Sequence, residues 1–142
     1  MLENRALIAA FLAWFIAQVV KLFIGLVRDR RVNLRYLVST GGMPSAHSAL
    51  VTALTTAIGR QAGADSPLFA ISAVFAAVVL YDAAGLRQAV SIQARILNRM
   101  LDEIFSQHAL SEGRLREFLG HTPFEVSVGF GLGGLVGFLA TL

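Results

Sequence analysis

The chain has 142 residues, 56% of them apolar and only 15% charged, with a mean hydropathy of +0.67. A soluble domain of this length keeps a large share of its residues on the surface and is about 25% charged, so a soluble fold is excluded, and so is disorder, which needs low hydrophobicity. There is no cysteine, which removes disulfides and thiolate chemistry, and 12 basic against 9 acidic residues leave a net charge of +3, with nothing that calls for a nucleic-acid partner.

What remains is an all-α integral membrane bundle, read as one membrane domain over residues 1–142. A bilayer core about 30 Å thick takes roughly 20 apolar residues per helix. The first such stretch is Ala6 to Val27, interrupted only by Gln18 and Lys21. It is too long for a cleaved signal peptide, and no small-x-small site follows it. The second, Ser45 to Gly59, is shorter and rich in small residues. The third is Leu68 to Leu86 and the fourth Phe124 to Leu142, with Pro67 and Pro123 placed where proline starts a helix well. Between them, Ala89 to Phe105 carries Ile92, Ile96, Leu97, Met100, Leu101 and Ile104 at helical spacing among Arg95, Arg99, Asp102 and Glu103. This amphipathic helix either lies on the cytoplasmic leaflet, extends the third span, or binds a partner.

Four spans divide the loops between two faces. One face holds Arg28, Arg30, Arg31, Arg35, Arg87, Arg95, Arg99, Arg114 and Arg116; the other holds Arg5 and Arg60. Cationic loops stay in the cytoplasm, so the first face is expected inside and both termini outside. The host membrane is expected to be a bacterial plasma membrane or an organelle membrane of similar type.

Ionisable groups at membrane depth are costly and mark functional sites. Lys21 and Arg28 lie seven apart near the inner end of the first span, two helical turns on one face. His47 begins the second span, after Gly41, Gly42, Met43, Pro44 and Ser45. Asp82 and Arg87 close the third, and His121 and Glu125 open the fourth. All of these fall on the face expected to be cytoplasmic. Lysine and arginine hold phosphate oxygens. Glycines before a helix start offer backbone N–H groups at a positive dipole end. Histidine can attack phosphorus or donate a proton. On a helix, Glu125 four residues after His121 would hold the imidazole in one tautomer.

Taken together, K-x6-R, P-S-x-H and H-x3-acid resemble the three-part signature of the type 2 phosphatidic acid phosphatases and vanadium haloperoxidases. The stretches TGGMPSAHSA, YDAAGLR and LREFLGHTPFEV resemble that superfamily's divergent membrane branch still more, over nearly the whole chain. The resemblance implies phosphate binding by Lys21, Arg28 and Ser45 with the Gly41–Gly42 loop. It implies that His47 protonates the leaving alkoxide and that His121, oriented by Glu125, attacks phosphorus, without metal or cofactor. The pattern departs from the superfamily in three places. Asp29 follows Arg28 in place of proline, Ala46 stands in place of glycine, and the third motif has Leu115 where the superfamily has Ser-Arg, six residues before His121, and glutamate in place of aspartate. Arg116 or Arg87 would then supply the missing guanidinium, and Asp82 would support the cluster.

Each feature also has a plain structural reading. Lys21 snorkels to the interface, Ser45 caps a helix, and His47 bonds a neighbouring loop. His121 and Glu125 form a helix-start pair, and Asp82 pairs with Arg87. His108 sits in a polar stretch with no role. Gly129, Gly133 and Gly137 recur every four residues, serving either packing within the chain or the seam of a homo-oligomer. Three functions follow: a metal-independent lipid phosphate phosphatase; a binder or transporter of a phospholipid or isoprenoid phosphate; and a structural subunit. The first two take a lipid phosphate as ligand and membrane lipids as surroundings.

Overall fold

The computed structural model describes residues 4–29, 42–104 and 122–142, with backbone alone for 28–29, 85–91 and 102–104. Among the described residues all regular structure is helical: α1 (Arg5–Asp29), α2 (Ala46–Ala62), α3 (Pro67–Ile104) and α4 (Pro123–Leu139).

Local chemistry sets the helix ends. Asn4 Oδ1 accepts the Leu7 N–H at the start of α1 (3.1 Å). Ser45 caps α2, its Oγ accepting the Ser48 N–H (3.3 Å) and the Ser48 hydroxyl (2.9 Å). At the far end Gly63, at φ +88°, donates its N–H to Gly59 O and stops α2. Ser66 Oγ accepts the Phe69 N–H (3.2 Å), and Pro67 opens α3. Thr122 and Glu125 form a reciprocal capping box at the start of α4: Thr122 Oγ accepts from Glu125 N (3.1 Å), and Glu125 Oε2 accepts from Thr122 N (2.7 Å).

α2 is the central helix, in contact with α1, α3 and α4, whereas α1 and α3 do not touch among the described residues. This explains its small residues, since a helix packed on several sides needs close approach. The inner core is made largely of alanine: Ala9, Ala13 and Ala17 of α1 meet Ala46, Ala49, Ala53 and Ala57 of α2. Thr55 Oγ1 donates to Ser72 O (3.1 Å) across to α3. The large apolar side chains point outward, among them Phe11 and Phe15 at 58% exposure and Ile71 at 69%. Among the described residues two helices are long and apolar enough to cross a membrane, yet only 33% of the α1 window and 11% of the α3 window is buried within the chain. A soluble core helix would be mostly covered. Small residues inside and large apolar ones outside is the arrangement of a bundle solvated by lipid.

The glycine stripe is taken up inside the chain. A Cβ on Gly129, Gly133 or Gly137 would overlap the carbonyl oxygen of Ser45, Ala49 or Ala53 in turn. α4 therefore lies backbone-close along α2, and of the two readings of the stripe, packing within the chain is the one these contacts show.

The amphipathic segment is no separate element. α3 runs without a break for 38 residues, about 57 Å at 1.5 Å per residue. Of the three readings, extension of the third span is the one realised. Gly85 is the only glycine or proline between Leu68 and Ile104, and a lone glycine does not stop a helix. Within the extension Ala94 and Asn98 are buried, while Ile92, Ile96, Leu97, Met100 and Leu101 are exposed.

Candidate functional site

Lys21 continues the inward row of α1: Ala9, Ala13 and Ala17 precede it at four-residue spacing. That register buries it, at 4% exposure, and the snorkelling alternative does not hold. A lysine on the outward faces of α1, beside Phe23 or Val27, would reach the interface; this one points toward its neighbours. Gly42, at φ +100°, lies against the lysine stem, so a Cβ there would sit 3.4 Å from Lys21 Cγ and Cδ. Glycine meets both demands, a left-handed backbone and close approach to the stem.

The loop Gly42–Ser45 joins α4 through the Ser45 N–H, which donates to Glu125 O (3.1 Å). Three segments thus converge, and between them lies a pocket of ≈ 340 Å³ lined by Lys21, Ile24, Gly25, Gly42, Met43, Thr122, Phe124 and Glu125. Lys21 and Glu125 are near enough for the carboxylate charge to act on the ammonium. The start of α4 adds its dipole, positive at this end. A buried ammonium, a half-buried carboxylate and a threonine thus sit beside three large apolar side chains. Such a pocket suits an anionic headgroup carried on an apolar body.

The structure sorts the expected site residues. Lys21, Gly42 and Glu125 come together in the pocket. Ser45 does not line it; it is fully buried, its hydroxyl capping α2, which is its structural reading. His47 is the second residue of α2, at the same end of the bundle, but exposed and outside the pocket lining. Asp82 is exposed on α3. Arg28 lies in the last turn of α1 and Arg87 within α3, but their side chains are outside the described residues. So are Gly41, Arg116 and His121 in full.

α4 begins at Pro123, with Thr122 as its extended cap (φ −73°, ψ 154°), and Glu125 Oε2 accepts the Thr122 N–H. The expected pairing of Glu125 with His121 involves a residue outside the described ones.

The sequence reading missed Thr122, Ile24, Gly25, Met43 and Phe124 as pocket residues. For Thr122 the signal was present: T-P-F-E is the S/T-x-x-E capping pattern. The others are ordinary apolar residues of spans and loops, and only the meeting of α1 with α4 gives them a role.

The "Divergent PAP2 family" matches residues 2–136. The chain is 39% identical to "Uncharacterized membrane protein YuiD" of Bacillus subtilis (strain 168), over 153 aligned positions covering 100% of this chain and 94% of that protein. No solved structure matches.

Proposed function

The chain belongs to the divergent PAP2 family, and from that membership and the pocket we propose that it is a metal-independent phosphatase of lipid phosphates at the cytoplasmic membrane face. The observation that carries this reading is Lys21, a lysine at membrane depth held inside a pocket with a polar floor and an apolar edge. A buried ammonium is costly unless an anion uses it.

In this reading Lys21 and Arg28, with the glycine loop before α2, bind the phosphate. His121 attacks phosphorus, the ester P–O bond breaks, and His47 protonates the departing alkoxide. Water then cleaves the phosphohistidine and releases inorganic phosphate. Cations and helix ends offset the charge that develops on the oxygens. Phosphate release by purified protein in detergent, across a panel of lipid phosphates, tests it. Activity should survive EDTA, stop with vanadate and vanish in His121→Ala; equal rates for parent and His121→Ala would end the reading.

A second reading is favoured by two observations: a binder or transporter of the same ligands. Glu125 is engaged in the capping box, and His47 stands outside the pocket lining. It expects no turnover in the parent and only affinity changes in variants.

The site end is taken as cytoplasmic from the arginine bias, with α2 and α4 crossing the membrane alongside α1 and α3. Single cysteines at Arg35 and Thr141 check this. Position 141 should label from outside intact cells and position 35 should not; labelling of 35 from outside would reverse the orientation.

A further inference from the structure

We propose that Ile24 and Phe124 form the edge over which the hydrocarbon tail of a bound lipid phosphate leaves the pocket, which makes Phe124 a specificity-determining residue. This rests on the ligand class proposed above and not on hydrolysis. Both residues line the pocket, yet both are open to the surroundings, Ile24 at 37% exposure and Phe124 at 66%. A side chain that is at once lining and exposed stands at the mouth. The mouth is therefore apolar, while the floor is Lys21, Thr122 and Glu125. Next to Ile24 on α1, Phe23 and Val27 are exposed, so the outer surface beside the mouth is apolar too. This is surface that lipid covers in a membrane bundle.

Volume points the same way. At ≈ 340 Å³ the pocket is at the small end of ligand sites. It has room for a headgroup and its first carbons, and acyl chains must lie outside. Gly25 lines the same wall without a side chain, which leaves Ile24 and Phe124, with the half-buried Met43, as the contacts for the first methylenes.

The test uses the full chain in vesicles with a lipid phosphate bearing a diazirine near the head end of its chain. Crosslinks are mapped by peptide sequencing, and a neutral diacylglycerol with the same diazirine serves as control. Labelling at residues 24 and 124 is expected from the phosphate alone, and lost in Lys21→Gln. Equal labelling by the neutral lipid would overturn the proposal, since these residues would then be ordinary lipid-facing positions. In Phe124→Ser the affinity advantage of a diacyl lipid phosphate over glycerol 3-phosphate, which has no chains, should shrink by about tenfold, the lower end of what burying a phenyl ring contributes. Phe130→Ser, on the exposed face of α4 and outside the pocket lining, should leave it unchanged. A chain preference untouched by Phe124→Ser overturns the inference even if hydrolysis is found. Phosphate-specific labelling without hydrolysis supports it and removes the phosphatase reading instead.

Discussion

At one end of the bundle Arg60 of α2 lies over the Phe138 ring, 4.1 Å from its centroid, and its Nε donates to Thr141 Oγ1 (2.9 Å). At the other end Lys21 of α1 is buried in a pocket beside Glu125. Both cations meet an end of α4. Arg60 is exposed, its charge remains solvated, and its contacts fasten the end of α4 to the end of α2. Lys21 is withdrawn from lipid and water by the same alanine register that builds the core, and its stem is held by a glycine in a left-handed backbone. The first arrangement secures an end of the fold. The second keeps a charge inside the protein, beside the Glu125 carboxylate and lining a pocket that a ligand could enter.

The sharpest test of that difference is Lys21→Gln. Phosphate release should fall by about 10²–10³-fold, the loss seen when one donor to a developing oxyanion is removed, while the melting temperature in detergent falls only modestly, because the Glu125 left behind is half-buried and keeps its bond to Thr122 N. A variant within twofold of the parent would make Lys21 as structural as Arg60.

The next largest effect would break both ends together. Gly133 sits midway along the α2–α4 seam, and a Cβ there would overlap Ala49 O and come within 2.9 Å of Thr52 Cβ. Gly131, two residues earlier, has nothing within 4 Å of such a Cβ. Gly133→Leu should cost about 1–3 kcal/mol, the range for overpacking, or abolish folding, read as thermal melting or as loss of monodisperse protein. Gly131→Leu should melt with the parent. Equal melting of the two variants would mean that α4 does not lie against α2 along this face.

The same contrast separates what the residues reveal from what they hide. The spans follow from hydropathy and length, and Lys21 follows from its place in an alanine row that any helical wheel displays. The glycine stripe also reads plainly, but its partner does not. Gly129, Gly133 and Gly137 would serve a seam between copies equally well, and only the pairing of α4 with α2, distant in sequence, decides. Glu125 holds a second role that the histidine four residues earlier draws attention away from: it closes the capping box with Thr122 at the start of α4. The continuity of α3 stayed open in the residues: no stop signal lies between Leu86 and Ala89, but an amphipathic stretch reads the same whether it extends a span or lies on the leaflet, and the backbone decides. The apolar run ends there because the surroundings change, not the backbone.

The smallest expected effect lies at the opposite end. Arg60→Gln removes the guanidinium from the Phe138 ring and the bond to Thr141, but leaves Thr141 bonded to Gly137 O (2.8 Å) and Phe138 O (3.1 Å). An exposed cation–π contact contributes about 0.5–1 kcal/mol, and the lost hydrogen bond is partly replaced by water. The melting temperature should drop by a few degrees at most, and phosphate release should match the parent. The size of the drop should shrink in high salt far less than it would for an ion pair, since neither Phe138 nor Thr141 carries a charge to be screened. A large loss of phosphate release in Arg60→Gln, with melting unchanged, would place chemistry at the end where Arg60 looks purely structural and would reverse the comparison.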